Sequence, residues 1–463
     1  MKDAELSPEI SLSQEENLSI KLTYQLLPQQ YRRVDLYFSL PVEMGISAST
    51  LDEHDYFYSS IHSHCAYYSD QLHLPLVRSR FISQKKGEQS DYRLNLNLYS
   101  YQIRIALDTD IKQTLKLKNA EEFYPQAIEL AQQTEDLLKK LRRYTPVDTK
   151  LSSFFENADN YLSWHVEQSF LKLLSKGPKS SEFSVEREYF LSLCQRESDY
   201  RETNQYNSQV TLDDPNRITN KMRLLHRLIE YGVVFQKETH YLDMNLKRLV
   251  RGTVTAVIMA FVMVLVLNAR STFTEITIML IALLGVIYGL RETFKDDITS
   301  IIWRWVKKGR PKWQNIFSHV VNKKRITVQT LWLEYMRAKD LPKSVGNMFD
   351  KRRQQNKQAA RLLHFRSDSK VTAKEFLPGY DKIQKQIFFN LTPFVRFLKK
   401  GEGRLYSLEG KKVTKQAVER RYQINLVLVQ RDHAHEYLQR FKITLNRSSI
   451  VNIEAMGKKE IEL

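Results

Sequence analysis

The stretch LVRGTVTAVIMAFVMVLVLNARSTFTEITIMLIALLGVIYGL, residues 249–290, decides how the chain is organised. No charged side chain occurs in the 18 positions 252–269 or in the 15 positions 276–290. A helix rises ~1.5 Å per residue, so the ~30 Å hydrocarbon of a bilayer takes about 20 apolar residues. The first run meets that length at 249–269, and the second meets it at 273–290 only when Phe273 and Thr274 are counted. Two apolar helices without a polar face, joined only by 268–275, predict a transmembrane hairpin rather than a buried core pair.

The flanks orient it. Lys247, Arg248 and Arg251 precede the first run, and Arg291, Lys295, Arg304, Lys307, Lys308 and Arg310 follow the second, whereas the connection holds only Arg270 and Glu275. By the positive-inside rule the expectation is an integral membrane protein with both termini cytoplasmic, in the inner membrane if the source is bacterial. Small residues recur every four positions at Gly252, Ala256 and Ala260 and again at Gly285 and Gly289, a spacing that lets helix backbones approach in lipid. The stripe suits packing within the hairpin or a homo-oligomer contact, and on the first reading leucines at 285 and 289 would force the helices apart.

The 463 residues allow about three domains, and a 42% hydrophobic content is ordinary for folded structure. Mean hydropathy is negative, so the apolar surface is concentrated in the central stretch. Two cysteines, Cys65 and Cys194, form no disulfide framework. Residues 1–17 are polar and acidic, without the basic start and apolar core of a secretory signal. Residues 291–463 hold 38 Lys+Arg against 17 Asp+Glu, a net of +21 within a chain total of +18, so the whole basic excess follows the apolar stretch.

Working outward, Leu18, Ile20, Leu22, Tyr24 and Leu26, then Val34, Leu36, Phe38 and Leu40, alternate as two strands of a half-buried hairpin. Leu94, Leu96 and Leu98, then Ile103, Ile105 and Leu107, suggest further strands, giving a β-rich cytoplasmic domain at 1–118. Helical spacing then takes over at Phe123, Ala127, Leu130, Ala131, Thr134, Leu137, Leu138 and Leu141. It continues through Phe154 to Leu174, and again from Asp214 and Pro215, a cap and first helical position, through Ile218, Met222, Leu225 and Ile229. A helical bundle at 119–248 leading into the membrane follows. Phe294, Ile298, Ile301, Ile302 and Trp305 make a basic amphipathic helix of 291–312, with Trp303 off its stripe. Residues 313–463 read as a basic α/β cytoplasmic region, whose alternation at Tyr422–Leu428, Phe441–Leu445 and Ile450–Ile453 predicts a terminal β-meander. The expected fold is thus an α+β membrane protein built on a central two-helix hairpin.

Chemistry is thinly marked. His54, His62, His64 and Cys65 have the side chains of a metal site, but one uneven cluster lacks the paired ligand groups of structural zinc. Asp432, His433, His435 and Glu436 fall between two predicted strands and suit a hairpin connection. No phosphate-cradling glycine motif, GxSxG or HExxH occurs, so no cofactor is expected and a non-enzyme is favoured.

The expected function is a membrane-anchored cytoplasmic scaffold or sensor that recruits another protein. The expected non-protein partner is a bilayer with anionic headgroups, met by Arg291, Lys295, Arg304, Lys307, Lys308, Arg310 and Lys312. The alternative is a membrane-tethered nucleic-acid-binding protein using Lys351, Arg352, Arg353, Lys357 and Arg361, without an RNP-like run or helix-turn-helix to support it.

Overall fold

The computed structural model describes residues 10–69, 74, 89–143, 145–146, 148–179, 182–272, 278–307, 309–320, 323–349, 361–377, 380–396, 398, 402–410, 412–431 and 435–462. The chain forms β1 (Ser11–Glu16), β2 (Ser19–Leu26), β3 (Tyr31–Leu40), α1 (Glu53–Ser60) and β4 (Ile61–Tyr68). Then come α2 (Gln89–Thr114), α3 (Ala120–Arg142), α4 (Thr149–Lys176), α5 (Ser184–Thr203), α6 (Gln209–Leu212) and α7 (Pro215–Ile229). After β5 (Gln236–Tyr241) the chain makes two long helices, α8 (Asp243–Thr272) and α9 (Ile278–Lys307). The remainder is β6 (Trp313–Ser318), β7 (Arg325–Met336), α10 (Lys343–Met348), β8 (Arg361–Val371), β9 (Lys382–Asn390), α11 (Thr392–Val395), β10 (Glu402–Glu409), β11 (Lys412–Glu419), β12 (Tyr422–Arg431), β13 (His435–Leu445) and β14 (Ile450–Glu462).

A mixed α/β body replaces the expected succession of a β-rich domain, a bundle, a hairpin and an α/β region. Its strands make a four-stranded sheet ordered β1-β2-β9-β4 and an eight-stranded sheet ordered β14-β13-β12-β3-β8-β7-β6-β5, with every pairing antiparallel; β10 and β11 pair only with each other. The alternation at 18–26 and 34–40 does mark two strands, but they do not form a hairpin. β2 joins the small sheet beside β9, and β3 becomes a central strand of the large one between β8 and β12. The inner faces meet through Phe389, whose ring lies 5.7 Å from Phe38 and 4.9 Å from Phe365, and through the hydroxyls of Tyr24 and Ser369, 3.2 Å apart.

The strands expected at 94–107 are instead part of α2. Leu96, Ile103, Leu107 and Ile111 are buried at helical spacing, but Tyr99, Tyr101 and Ala106 are buried too. A helix enclosed on several sides shows no single apolar stripe, and a chance alternation of its leucines imitates period two. Around α2 the bundle is tied by Arg142, which reaches Asp159 at 3.1 Å and Glu197 at 2.7 Å, and by the Asp214 carboxylate accepting from Asn216 N–H at 2.8 Å to cap α7. The chain does not run from α7 straight into the long helices, because β5 intervenes.

A two-helix transmembrane hairpin is not supported. Among the described residues one helical span, Leu246–Asn268 within α8, is long and apolar enough to cross a membrane, and only 17% of it is buried. Among the described residues, the apolar part of α9 runs from Ile278 to the Arg291, Glu292 and Lys295 charges, a length of about 20 Å, which is short of the hydrocarbon thickness. Phe273 and Thr274, on which the expected second span depended, lie outside the described residues.

Candidate functional site

Helix α2 carries Tyr101, Arg104 and Asp108 at i, i+3 and i+7, which sets them along one helix face. Tyr161 and His165 on α4, and His226 on α7 with Glu230 at its C-terminal cap, are likewise pairs four residues apart. Where these helices meet β4, the seven side chains gather near His64. His165 Nε2 stands 3.2 Å from Asp108 Oδ1 and His226 Nε2 3.3 Å from Glu230 Oε1, yet neither nitrogen has an in-line hydrogen bond. The Tyr161 ring lies nearly parallel to both imidazoles, 5.7 Å from His165 and 5.2 Å from His226. Arg104 Nε is 3.8 Å from Asp108 Oδ2, and its guanidinium is 5.8 Å from the Tyr101 ring.

Burial and charge act in opposite senses here. Burial works against the Arg104 cation, but Tyr161, Tyr101, Asp108 and Glu230 outweigh it and hold its pKa above the ordinary value. Burial lowers His64, with Arg104 adding to the effect. His226 is pushed down to about 3, chiefly by burial and then by the Arg104 and His165 charges. Burial lifts Glu230 above the usual carboxylate range against the pull of Arg104 and Arg227. It would lift Asp108 as well, but His165, Arg104 and Lys112 prevail and keep that carboxyl low. At neutral pH, therefore, His64 and His226 are neutral, Arg104 is a cation and Asp108 an anion. The His165, Asp108, His226 and Glu230 side chains are between 15% and 33% exposed, so solvent protons reach them. Such a set can accept, relay or sense a proton, and Arg104 adds a point of attachment for an anion.

Of the four expected metal ligands, only His64 belongs to this cluster. His62 and His64 occupy alternate positions on β4, while Cys65 points to the opposite, buried face, where its thiol is pushed up to about 12 by burial. His54 sits exposed on α1 with Asp52 and Asp55, the one described group whose atoms lie close enough to share an ion. Asp432 and His433 lie outside the described residues, and Glu436 is paired with Arg431 at 2.7 Å.

The other expected residues are distributed as follows. Gly252, Ala256, Ala260, Gly285 and Gly289 are exposed, and a Cβ added at any of the three glycines would meet nothing within 4 Å. Arg291 lies 5.9 Å from the Tyr288 ring and Lys295 3.5 Å from Glu292, while Arg310 is exposed. Nothing is described for the Arg304 side chain or for Lys308. Lys307 lies 4.0 Å from Glu53. Lys312 is buried, bonded to the Glu53 carboxylate and the Leu333 carbonyl, so it is a structural cation rather than a lipid contact. Lys351, Arg352, Arg353 and Lys357 fall outside the described residues; Arg361 begins β8 and is exposed.

Sequence reasoning missed Arg104, Asp108, His165, His226 and Glu230, because reading 94–107 as strands scattered the face that α2 presents. The i, i+4 pairs Arg104/Asp108, Tyr161/His165 and His226/Glu230 were the available signal. It also missed Lys385, fully buried between the sheets, its Nζ 4.2 Å from the Phe317 ring and without a hydrogen-bond partner. Burial pushes that ammonium down to about 7, against a raising influence from Cys65. Comparison with protein-family models, with curated proteins and with solved structures finds no match for this chain.

Proposed function

We propose that this protein is a membrane-anchored scaffold or sensor that recruits another protein, with α8 inserted in the bilayer from one side rather than as a lone crossing, so that the chain returns to the side it left and both chain termini are in the cytoplasm. The observation that carries the reading is α8 itself, whose apolar span is largely exposed; a core helix of that composition would be buried. Support for the common side of the termini comes from the sheets. β3 pairs with β8 and β12, and β5 with β6, so strands before and after α8 share hydrogen bonds that a bilayer could not separate. Lys247, Arg248 and Arg251 at the start of α8 favour the cytoplasm for that side. In the sensor version of the reading, the His64–Glu230 cluster is the input point, where a proton or small anion alters how the bundle seats on β4.

Membrane fractionation tests the anchor. The full-length protein is expected to stay with membranes through alkaline carbonate extraction, and the pair Val257→Arg and Val264→Arg to move it to the soluble fraction. Carbonate release of the unaltered chain would overturn the anchor. Recruitment is tested by purification from membranes, where a defined partner at fixed stoichiometry is expected and bound nucleic acid would count against the reading.

A further inference from the structure

Among the described residues the β10–β11 hairpin pairs with no other strand and holds an amphipathic pattern that neither sheet uses. Register places Leu408 opposite Val413, Tyr406 opposite Lys415 and Arg404 opposite Ala417 on one face. The other face carries Glu409 opposite Lys412, Ser407 opposite Thr414, Leu405 opposite Gln416 and Gly403 opposite Val418, polar toward the tip and apolar only nearer the base. The first face therefore carries an aliphatic pair next to the charged turn at 409–412, an aromatic beside a cation in the middle, and a second cation nearer the base. Leu408 is 73% exposed, Val413 70% and Tyr406 62%. A lone two-stranded hairpin is at best marginally stable in water, and an uncovered aliphatic pair adds nothing to hold it.

Charge and position indicate what covers it. Residues 396–421 contain nine Lys+Arg and three Glu, so the hairpin and its flanks are cationic along their length. Register across the large sheet puts the C-terminal ends of β5, β7 and β3 and the N-terminal ends of β8 and β12 at one end. Helix α8 leaves from β5 there, and the hairpin enters β12 there. Exposed Leu408, Val413 and Tyr406 flanked by Arg404, Lys412 and Lys415 suit an anionic bilayer surface met by this face, where apolar groups enter the acyl boundary and the lysine and arginine stems let their charges stay among the headgroups. Nucleic-acid phosphates would use the cations but leave Leu408 and Val413 without a role.

We propose that the β10–β11 hairpin is a second membrane contact, seating Leu408 and Val413 below an anionic headgroup layer held by Arg404 and Lys415. The inference rests on the membrane reading above. It is tested on the full-length protein carrying Leu408→Cys or Val413→Cys with an environment-sensitive NBD label, with Gln416→Cys as the opposite-face control; native Cys65 and Cys194 are buried.

The proteins are incorporated into vesicles of phosphatidylcholine alone or mixed with phosphatidylglycerol. In the anionic vesicles, labels at 408 and 413 are expected to shift to the blue and be quenched by nitroxide lipid, while the label at 416 stays in water. Neutralising Lys415 with Lys415→Gln lowers the seated-to-free ratio about fivefold. Incorporated protein whose labels at 408 and 413 ignore phosphatidylglycerol would overturn this inference alone, whereas protein that does not float with vesicles would overturn both readings. Labels that respond to duplex DNA, or that self-quench with protein density in neutral vesicles, would give the face to nucleic acid or to a second copy and overturn the lipid assignment.

Discussion

Lys385, fully buried, and His226, partly buried, are bases whose pKa values fall, but they influence stability at opposite ends of the pH scale. For Lys385 the folded value near 7 lies below the ordinary 10.5, so between those limits the unfolded chain holds a proton that the folded one has lost. Stability should rise with pH through that window. Lys385→Met, which removes an unpaired ammonium from an apolar setting, is expected to raise stability at pH 7 by about 1–4 kcal/mol and to flatten the slope. Denaturant titrations at several pH values measure this, and a destabilised methionine variant would show that the ammonium has a partner when the protein is at work. His226 falls from 6.5 to about 3, so stability should decline as pH drops below the unfolded value, by up to about 1.4 kcal/mol per pH unit for one proton. His64, also lowered, adds to the same decline. His364 does not, because Asp35 and Glu334 overcome its burial and raise it; its contribution is complete below pH 6.5 and is lost as pH rises through the raised value. His226→Gln should therefore shallow the acid limb, and an unchanged limb would place the titrating group elsewhere. Lys385 and His364 do not announce themselves in the sequence, since burial of a lysine or histidine depends on strands and helices distant in the chain.

At the scale of the element, periodicity was a sound guide to strands and to amphipathic helices and a poor one to enclosed helices. The helical spacings from Phe123 and from Ile218 correspond to α3 and α7 because one face of each remains in water, whereas α2 is enclosed and its leucines mislead. The small-residue stripe illustrates a further limit. Spacing alone marks Gly285 and Gly289 as a possible seam, but the space around both is open. Gly285→Leu combined with Gly289→Leu is thus expected to melt in detergent no lower than Ala282→Leu, with a gain of up to ~1 kcal/mol per glycine from helix propensity. A selective loss of stability in the double variant, followed by thermal melting, would restore the seam.

For the whole molecule, the decisive geometry is that α8 and α9 are inserted between adjacent strands. Tyr241 is opposite Trp313, and Leu242 N–H donates to the Lys312 carbonyl at 2.9 Å, so a short turn can close β5 onto β6. Replacing residues 244–310 with such a turn should leave a protein that is soluble without detergent and that keeps its sheet and the helix of α2–α7 by circular dichroism, losing only the helix signal of α8 and α9. An insoluble or unfolded product would mean that the long helices belong to the core.

The sequence by itself determined that apolar surface is concentrated at 249–290, that the basic excess follows it, and that 18–26 and 34–40 are strands, because composition and periodicity are properties of neighbouring residues. Only the tertiary structure decided that those two strands enter different sheets and that both ends of the chain share each sheet. It also gathered Arg104, Asp108, His165, His226 and Glu230 at β4. These outcomes depend on which distant backbone edges and helix faces pair, and every strand offers the same hydrogen-bonding groups, so local pattern cannot select among partners.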